Sequence, residues 1–531
     1  MLGWGNAQPG SYPSSRFTHH VSRFTPHASL SRNPYPRLHS PLLYEINTRC
    51  WLRALSETSG TTVTLANVPD SEFAAWQKLG FSHIWLMGVW TTGPRARAEA
   101  LKHPELRRAY DQVLPGWTDA DVTGSPYAVG DYQVPATLGG EAGLEAFRRR
   151  LREHGLKLVL DFVPNHLGLD HPWVKDQPEL FVQSPAEVPG TFPQRTPAGL
   201  RWLAHGKDPY FPAWSDTVQV DYRRPATRAA MTQLLRSVAS RCDGVRCDMA
   251  MLLLNDVFAR TWERFPVADQ AAASTEFWPA AISAVRQAQP GFVFMAEAYW
   301  GLEARLQGLG FDYTYDKTLY DGLVSRDAAG VQRHLLGLTA ESLAAGAHFL
   351  ENHDEPRIAG ILSPDEHRAA ALLILGLPGL RFLHEGQLRG ARIKIPVQLA
   401  RRGTEPCQAA IKAIYEQWLT LLPATAVGRG RSELLRPRAA WPGNPTAQNF
   451  IVVQWQDQAP EFDLVVVNLA PHRSQCYVSL GVPGLAGHHW SMKDLAGTEE
   501  YRRSGAELES RGLYLDLPAH AAQIFHFQPV G

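Results

Sequence analysis

The alternation of short apolar runs with amphipathic segments between residues 42 and about 390 constrains this fold most. Short apolar runs bounded by turn residues predict buried strands, and the spacing of apolar residues between them predicts helices. Repeated β/α units predict parallel strands joined by helices, and eight of them predict a closed barrel. The predicted strands are 42–47, 83–89, 156–163, 244–249, 292–298, 311–315, 347–353 and 379–385.

Three of the intervening segments have the pattern of amphipathic helices. They read SEFAAWQKLG, GLEAFRRRLREHG and PATRAAMTQLLRSVASR. The first and second end in Gly, as helix C-caps commonly do. These segments therefore predict helices that cover the outside of the barrel.

The chain also carries segments that a minimal barrel does not need. Two long excursions follow the second and third strands, at 90–140 and at about 167–220, and the first contains a predicted helical piece, AEALKHPELRRAYDQVL. After about 425 the pattern changes to alternating runs such as NFIVVQW and FDLVVVNLA, which predict an antiparallel β domain. We predict a (β/α)8 TIM barrel over 41–424, a small inserted subdomain at about 167–220 and a C-terminal β-sandwich domain over 425–531.

Residues 1–40 contain no Asp or Glu and are rich in Ser, Pro, His and Arg. They lack the apolar core of a secretory signal, and we predict a disordered N-terminal extension. A targeting peptide and a misassigned start codon remain as alternatives.

Charge and cysteine content narrow the classes of partner. The chain has 52 Lys plus Arg and 52 Asp plus Glu, so no basic field argues for nucleic acid or an anionic membrane. The apolar run ALLILGLPGLRFL is too short to span a bilayer. The five cysteines are scattered and odd in number, which favours a reducing compartment, and we predict a cytoplasmic protein with a small or uncharged substrate.

Acidic residues follow several of the predicted strands. Asp248, Glu297 and Asp354 lie at the ends of strands four, five and seven. Each alone could be a turn or cap residue, but strand C-termini of a β/α barrel share one rim, so the three carboxyls should converge. Repulsion and desolvation must then raise at least one pKa. Glycoside cleavage needs this division between a protonated acid and an ionised carboxylate.

Two neighbours suggest how the roles divide. Arg246 lies two residues before Asp248, so on a strand both side chains point to one face, and the cation would keep Asp248 ionised. Glu297 lies between FVFMA and the aromatic pair Tyr299 and Trp300, a setting that favours its protonated form.

These motifs resemble, in order, the four signatures of the alpha-amylase family, glycoside hydrolase family 13. The segments that carry the resemblance are DFVPNH, DGVRCD, MAEAYW and ENHDEPR, flanked by GFSHIWLMGV and GLPGLRFLHEG. The resemblance runs from about 42 to 390. It implies a retaining α-glycosidase that acts on α-glucans or malto-oligosaccharides through a covalent glycosyl-enzyme intermediate.

The resemblance also implies roles for individual residues. Asp248 would be the nucleophile, Glu297 the general acid and base, and Asp354 the transition-state stabiliser. The implied substrate-binding residues are Tyr127, His166, Arg246 and His353, to which we add Trp300 because it is close to Glu297. The resemblance implies no required cofactor. Asn165 matches a residue that binds calcium in many members, so a calcium site is left open.

The chain departs from the family at the leaving-group side. Many alpha-amylases carry Lys-His three and four residues after the nucleophile, whereas this chain has Met251 and Leu252. This departure puts ordinary endo-hydrolysis of starch in doubt. Glu385, at the end of strand eight, would either reach substrate or pair with an arginine. Long loops at 90–126 and 167–220 would close one end of the groove and favour exo action.

Three functions stay open from the sequence. Hydrolysis is the first prediction. Glycosyl transfer, such as glucan or maltosyl transfer, or isomerisation is the second, because water exclusion at the leaving-group side cannot be seen in a sequence. A non-catalytic glycan-binding relative is the third, although such relatives typically lose one of the three acids. The sequence gives no oligomeric state.

Overall fold

The computed structural model describes residues 40–197, 199–265 and 275–530. Eight parallel strands form a closed barrel in which each strand pairs with the next along the chain and the eighth pairs with the first. The barrel strands are Leu42–Asn47, His83–Met87, Lys157–Phe162, Gly244–Cys247, Val293–Ala296, Tyr313–Tyr315, Gly346–Phe349 and Leu380–His384. The predicted barrel is confirmed, and the predicted extension lies outside the described residues except for Ser40.

The barrel strands are almost wholly buried, because side chains fill the interior and helices cover the outside. Where the barrel closes, Leu43 of the first strand pairs with Phe382 of the eighth strand on one side and with His83 of the second strand on the other. The fifth and seventh strands end at Ala296 and Phe349, earlier than predicted, so the acids of these two strands lie in the loops just beyond them.

Helices connect the strands and cover the barrel. The three predicted helices are confirmed as Asp70–Lys78, Gly140–Glu153 and Pro225–Ala239. The glycines that close the first two, Gly80 and Gly155, have φ of 80° and 71°, the left-handed conformation that favours glycine after a helix. The other barrel-domain helices are Thr48–Ser59, Asn255–Thr261, Phe277–Arg286, Glu303–Gly308, Lys317–Val324, Ala328–Gly337, Ala340–Ala344, Pro364–Gly376 and Ala409–Leu421.

The excursion after the second strand is helical, as predicted, but it is divided into two helices. Two helices, Pro94–Lys102 and Pro104–Val113, meet at His103. His103 is extended, with ψ of 118°, because a following proline disfavours the helical conformation. The excursion also contains the short antiparallel strands Thr91–Thr92 and Val129–Asp131.

The insertion after the third strand forms a small β subdomain. Its sheet is antiparallel, in the order Gln183–Ser184, Gly199–Ala204, Thr191–Thr196. The strands His166–Gly168 and Thr217–Gln219 pair antiparallel at its base, and the short helix Pro172–Asp176 lies between them in the chain. The predicted inserted subdomain is confirmed.

The C-terminal part contains two antiparallel sheets, as predicted. The larger has the strand order Arg431–Leu435, Phe450–Gln456, Phe462–Asn468, Ala522–Val530, His489–Asp494, Glu500–Ser504, and the smaller Arg438–Ala439, Ser474–Val478, Leu513–Leu517, with one helix at Gly505–Arg511. Alternate residues of Phe450–Gln456 face opposite sides, so Val452 packs towards the smaller sheet and Val453 towards the barrel. The domain boundary at 424/425 stays a prediction.

In the described ranges, no helix has the length and apolar character needed to cross a bilayer. All five cysteines are free, and four of them are buried.

Candidate active site

Three carboxyl groups lie together at the C-terminal rim of the barrel. Asp248 follows the fourth strand, Glu297 the fifth, and Asp354 the loop after the seventh. Asp248 and Glu297 are 0% and 1% exposed, and the side chain of Asp354 is 13% exposed. Burial of three carboxyls in one place is costly unless they are paired.

Arg246 supplies the pairing. Its Nη1 lies 2.6 Å from Asp248 Oδ1, and its Nη2 lies 2.8 Å from Glu297 Oε2 and 3.9 Å from Asp354 Oδ2. The Nη2 contacts are ion pairs without hydrogen-bond geometry, whereas Nη1 donates a hydrogen bond to Asp248. The guanidinium is fully buried; burial alone would lower its pKa, but Glu297 and Asp248 help to raise it well above its ordinary value. One cation therefore contacts all three acids.

The two carboxylate oxygens of Asp248 differ in their hydrogen bonding. Oδ1 accepts from Arg246, while Oδ2 is buried and has no hydrogen-bond partner among the described residues. Burial raises the pKa of Asp248, and the adjacent guanidinium opposes the rise. An oriented carboxylate with one unoccupied oxygen has the form that a nucleophile requires.

Glu297 is held on both oxygens. The backbone N–H of Met249 donates to Oε2 at 2.7 Å, and the hydroxyl of Tyr299 donates to Oε1 at 2.8 Å. Met249 has a φ of 43°, in the left-handed region, which is strained for a non-glycine residue and brings its N–H towards Glu297. Burial raises the pKa of Glu297 to about 7, so this carboxyl is substantially protonated at neutral pH.

His353 connects Asp354 to the first strand. Its Nε2 lies 3.0 Å from Asp354 Oδ2, and its Nδ1 lies 2.5 Å from Glu45 Oε1. Burial disfavours the charged ring, but the two carboxylates raise the pKa of His353 to about 10. The resulting imidazolium, together with Arg246, overcomes the effect of burial on Asp354 and lowers the pKa of that carboxyl well below its ordinary value. Asp354 therefore stays ionised.

Tyr127 lies beside this group, as predicted. Its hydroxyl is 2.7 Å from His353 Nε2, and its ring stacks on that imidazole at 5.2 Å. Arg246 lies over the ring at 5.2 Å. The segment 125–128 thus contributes an aromatic face next to the acids.

The two remaining predicted site residues, His166 and Trp300, pack against other aromatic side chains. The ring of His166 packs against Trp214 at 4.9 Å, and burial lowers the pKa of His166 to about 3, so it is neutral. Trp300 packs edge-on against the half-exposed Tyr210 at 5.0 Å. Trp300 has a φ of 65°, a second strained position near Glu297.

Asn165 does not fit a calcium site in this chain. Its side-chain oxygen accepts a hydrogen bond from Gln219 Nε2 at 3.0 Å, and its backbone oxygen accepts from the same amide at 2.8 Å. The described residues contain no cluster of three His, Cys, Asp or Glu that could hold a metal. Calcium prefers six to eight oxygen ligands, and both oxygens of Asn165 are already hydrogen-bonded to Gln219.

The contacts of Glu45 and Asp161 were not anticipated from the sequence, whereas a role for Glu385 was. Glu45 is the partner of His353, and a carboxylate in the otherwise apolar LLYEIN strand was the available signal. Asp161 is also buried, accepts from Gly88 N–H at 3.0 Å, and lies 3.9 Å from Arg246; burial raises its pKa to about 6. Glu385 pairs with Arg402, the second of the two roles considered for it.

The residues at the leaving-group positions belong to the hydrophobic core. Met251 is 0% exposed and Leu252 is 3% exposed, and both belong to the cluster that fills the barrel. In this conformation both side chains therefore contribute to core packing.

Comparison with known proteins agrees with this geometry. Residues 76–320 match the family model described as Alpha amylase, catalytic domain. Alpha-amylase MalA of Haloarcula japonica is 24% identical over 268 residues, covering 49% of this chain and 36% of that protein. Alpha-1,4-glucan:maltose-1-phosphate maltosyltransferase of Myxococcus xanthus is 26% identical over 246 residues, covering 45% of this chain and 30% of that protein. The chain thus spans about a third of the length of each.

The fold is that of solved alpha-amylase structures. A noncanonic maltogenic alpha-amylase, AmyB from Thermotoga neapolitana, superposes with a TM-score of 0.64 at 18% identity, covering 93% of this chain and 99% of that chain. At this identity the superposition establishes the fold alone, whereas the family match covers the second to sixth strands and two of the three acids. The segment 76–320 is therefore similar to the catalytic domain of the alpha-amylase family, and it contains five of the eight barrel strands.

Proposed function

We propose that this protein is a retaining α-glycosidase that hydrolyses α-glucosidic bonds in α-glucans or malto-oligosaccharides. The observation that carries the proposal is the unoccupied Oδ2 of Asp248 beside a Glu297 whose pKa is about 7. The first is suited to attack on an anomeric carbon, and the second to donation of a proton to the leaving oxygen.

The reaction would proceed in two displacements. In the first, Asp248 Oδ2 forms a bond to the anomeric carbon while the glycosidic C–O bond breaks, and the proton of Glu297 passes to the departing oxygen. In the second, the Glu297 carboxylate takes a proton from water, the water oxygen bonds to the anomeric carbon, and the ester bond to Asp248 breaks. Two inversions give net retention.

The remaining groups would stabilise the sugar in the oxocarbenium-like transition state. Ionised Asp354 is suited to bind the hydroxyls of the attacked sugar, and His353 and Tyr127, which pack against each other beside it, would contact the same sugar. Arg246 holds Asp248 and moderates its pKa. His166 and Trp300 would contact the same sugar and its neighbour.

Glycosyl transfer is the second candidate, favoured by the burial of the acids. Asp248 and Glu297 are 0% and 1% exposed. A site that keeps water from the glycosyl-enzyme intermediate lets a bound sugar hydroxyl attack in its place. The same two-step chemistry then gives a new glycoside instead of a free sugar.

The substrate and location are part of the proposal. An uncharged α-glucan or oligosaccharide suits a chain with zero formal charge and a site lined with hydroxyl-binding groups. Five free cysteines support a cytoplasmic location. The binding-only function ranks below catalysis because all three acids are present and joined through one guanidinium.

The test follows anomeric protons by NMR. Purified protein is incubated with malto-oligosaccharides, glycogen, sucrose, trehalose and maltose 1-phosphate, in parallel with Asp248→Asn and with Asp516→Asn as a distant surface control. We expect α-anomeric products from the wild type and the control, and a rate lower by about 10⁴-fold for Asp248→Asn. Initial β-anomers, or undiminished activity of Asp248→Asn, would contradict the mechanism.

A further inference from the structure

The loops after the second and eighth strands are joined over the first strand. Val122 and Leu399 form an antiparallel bridge between these loops. Hydrogen bonds flank the bridge on both sides: Thr123 N–H to Gln398 O at 2.9 Å, Ala400 N–H to Asp121 O at 2.8 Å, and Arg401 to both oxygens of Asp121 at 2.7 and 2.9 Å. We call these joined loops, residues 94–124 and 386–408, the rim wall.

The rim wall has an apolar core of its own. Ala100, Tyr110, Leu114, Val122 and Leu399 form a buried cluster separate from the barrel core. Cys50, just after the first strand, donates its thiol hydrogen to Leu399 O at 3.3 Å. Backbone hydrogen bonds, a partly exposed ion pair between Arg401 and Asp121, and apolar packing together make the wall a fixed part of the fold.

The wall stands across the barrel from Glu297. Strands follow one another around the barrel in chain order, so the first strand lies opposite the fifth. A general acid must lie beside the leaving group, which places the leaving group on the side of the fifth strand. The other end of the attacked sugar, its non-reducing end, therefore points towards the wall.

The cavity between His353 and this wall is small. The cavity beside His353 has a volume of about 10 Å³ and is lined by Asn47 and Cys50 after the first strand and by Lys394 and Ile395 of the wall. Such a volume holds about one water molecule, and a second sugar unit needs far more.

Lys394 is the polar group at this closed end. Its ammonium donates a hydrogen bond to the backbone oxygen of Asp354. In the described part of the chain no carboxylate lies within ion-pair distance of this ammonium, and burial lowers the pKa of Lys394 while Asp354 and Glu355 oppose the effect. An ammonium has three donors, so donors remain for a sugar hydroxyl.

We propose that the site is closed at its non-reducing end by the rim wall and Lys394, so that the protein attacks only the terminal unit at the non-reducing end of a glucan. This inference rests on the proposed α-glycosidase function. Lys394 would bind the terminal hydroxyls that an internal unit lacks, because in an internal unit one of them carries the next sugar. The first product would be a single sugar unit and a chain shorter by one unit.

The test compares two substrates with full-length protein. Maltoheptaose labelled at its reducing end is compared with the same compound whose terminal 4- and 6-hydroxyls are blocked as a cyclic acetal. We expect a labelled hexasaccharide as first product and at least 100-fold slower cleavage of the blocked compound. Equal cleavage of both, or labelled fragments from mid-chain, would overturn the inference while leaving the glycosidase proposal intact. Cleavage of neither compound would contradict the glycosidase proposal and this inference together.

Lys394→Ala separates the role of this side chain from that of the wall. We expect KM for the unblocked heptaose to rise about tenfold with kcat reduced less than threefold, because His353 and Arg246 still hold Asp354. Lys412→Ala, an exposed lysine on Ala409–Leu421, serves as the matched control and should leave both constants unchanged. An unchanged KM in Lys394→Ala would remove Lys394 from the proposal, and a loss confined to kcat would assign it to positioning Asp354.

Discussion

Glu45 Oε1 accepts a 2.5 Å hydrogen bond from Nδ1 of His353, across 308 residues of sequence. This bond ties the first strand to the loop that carries Asp354. It helps to keep His353 charged, and the charged ring in turn keeps Asp354 ionised. The charge state of a proposed catalytic group thus depends on a residue that does not contact it.

Glu45→Gln tests this relationship. The amide keeps a hydrogen-bond acceptor but removes the charge, so the pKa of His353 should fall from about 10 towards neutrality. The ¹⁵N shifts of the His353 ring, followed against pH, should show this change, and kcat/KM at pH about 8 should fall about tenfold. Glu57→Gln, an exposed pair partner of Arg53, is the control. An unchanged His353 titration would show that Asp354 alone holds the charge.

The pH dependence of kcat/KM follows from Glu297 and Asp248. The general acid is active when protonated, so the rate should fall as pH rises through about 7, the pKa of Glu297. The nucleophile is active when ionised, so the rate should also fall as pH drops through the raised pKa of Asp248. With α-glucosyl fluoride, whose leaving group needs no proton, Glu297→Gln should lose the alkaline limb. If kcat/KM of Glu297→Gln still falls at alkaline pH, the titration of a group other than Glu297 causes that fall.

Arg246→Lys keeps the positive charge at this position but removes the two-pronged guanidinium geometry. A single ammonium cannot reproduce contacts of 2.6 and 2.8 Å to Asp248 and Glu297 at once, so kcat should fall about 100-fold. The acid limb of the pH profile should move to higher pH. The reason is that burial raises the pKa of Asp248, and the Arg246 guanidinium that opposes this rise is lost. Arg381→Lys, a buried guanidinium bonded to backbone oxygens, is the control and should change stability without moving that limb. An unmoved acid limb in Arg246→Lys would contradict this role.

The packing of the barrel against the C-terminal sheets should contribute to the free energy of unfolding. A Cβ on Gly376 would lie 2.5 Å from Val465 Cγ1, and Trp455 donates its indole N–H to Gly376 O at 2.8 Å. Gly376→Ala should therefore lower the free energy of unfolding by about 1–3 kcal/mol in urea denaturation. Gly337→Ala is the matched control, because Gly337 also ends a helix but has open space where a Cβ would lie. This control substitution should leave the free energy of unfolding unchanged or raise it slightly. Equal effects of the two substitutions would contradict the packing argument.

A His–Asp cluster predicts a pH-dependent contribution to stability. Asp316 Oδ1 lies 2.7 Å from His334 Nε2, and this carboxylate raises the pKa of His334 against the opposing effect of burial. A histidine whose pKa is higher in the folded state than in the unfolded state stabilises the folded state. The stabilisation is complete at pH below the unfolded-state pKa of about 6.5 and is lost as pH rises through the folded-state pKa. His334→Gln should thus cost about 1 kcal/mol at pH about 5.5 and much less at pH about 9 by urea denaturation. Exposed His472→Gln should show no such difference, and an equal cost of His334→Gln at both pH values would contradict the linkage.

Local pattern in the sequence was sufficient for the barrel and the order of the acids. Strand and helix periods are short-range properties, so the eight strands could be found without long-range information. Because barrel strands end at a common rim, Asp248, Glu297 and Asp354 could be expected to converge. Arg246 was identifiable for the same reason, since two residues on one strand share a face.

Contacts between distant loops were decided only by the tertiary structure. Glu45 meets His353 because barrel closure brings the first strand beside the eighth, which itself pairs with the seventh, and no local period encodes that meeting. Val122 meets Leu399 across two loops without regular pattern, and Gln219 takes the Asn165 oxygens that calcium would need. The sequence by itself determined which groups reach the rim. Their protonation and the closed end of the site depend on burial and on neighbours from other strands, which only the folded chain brings together.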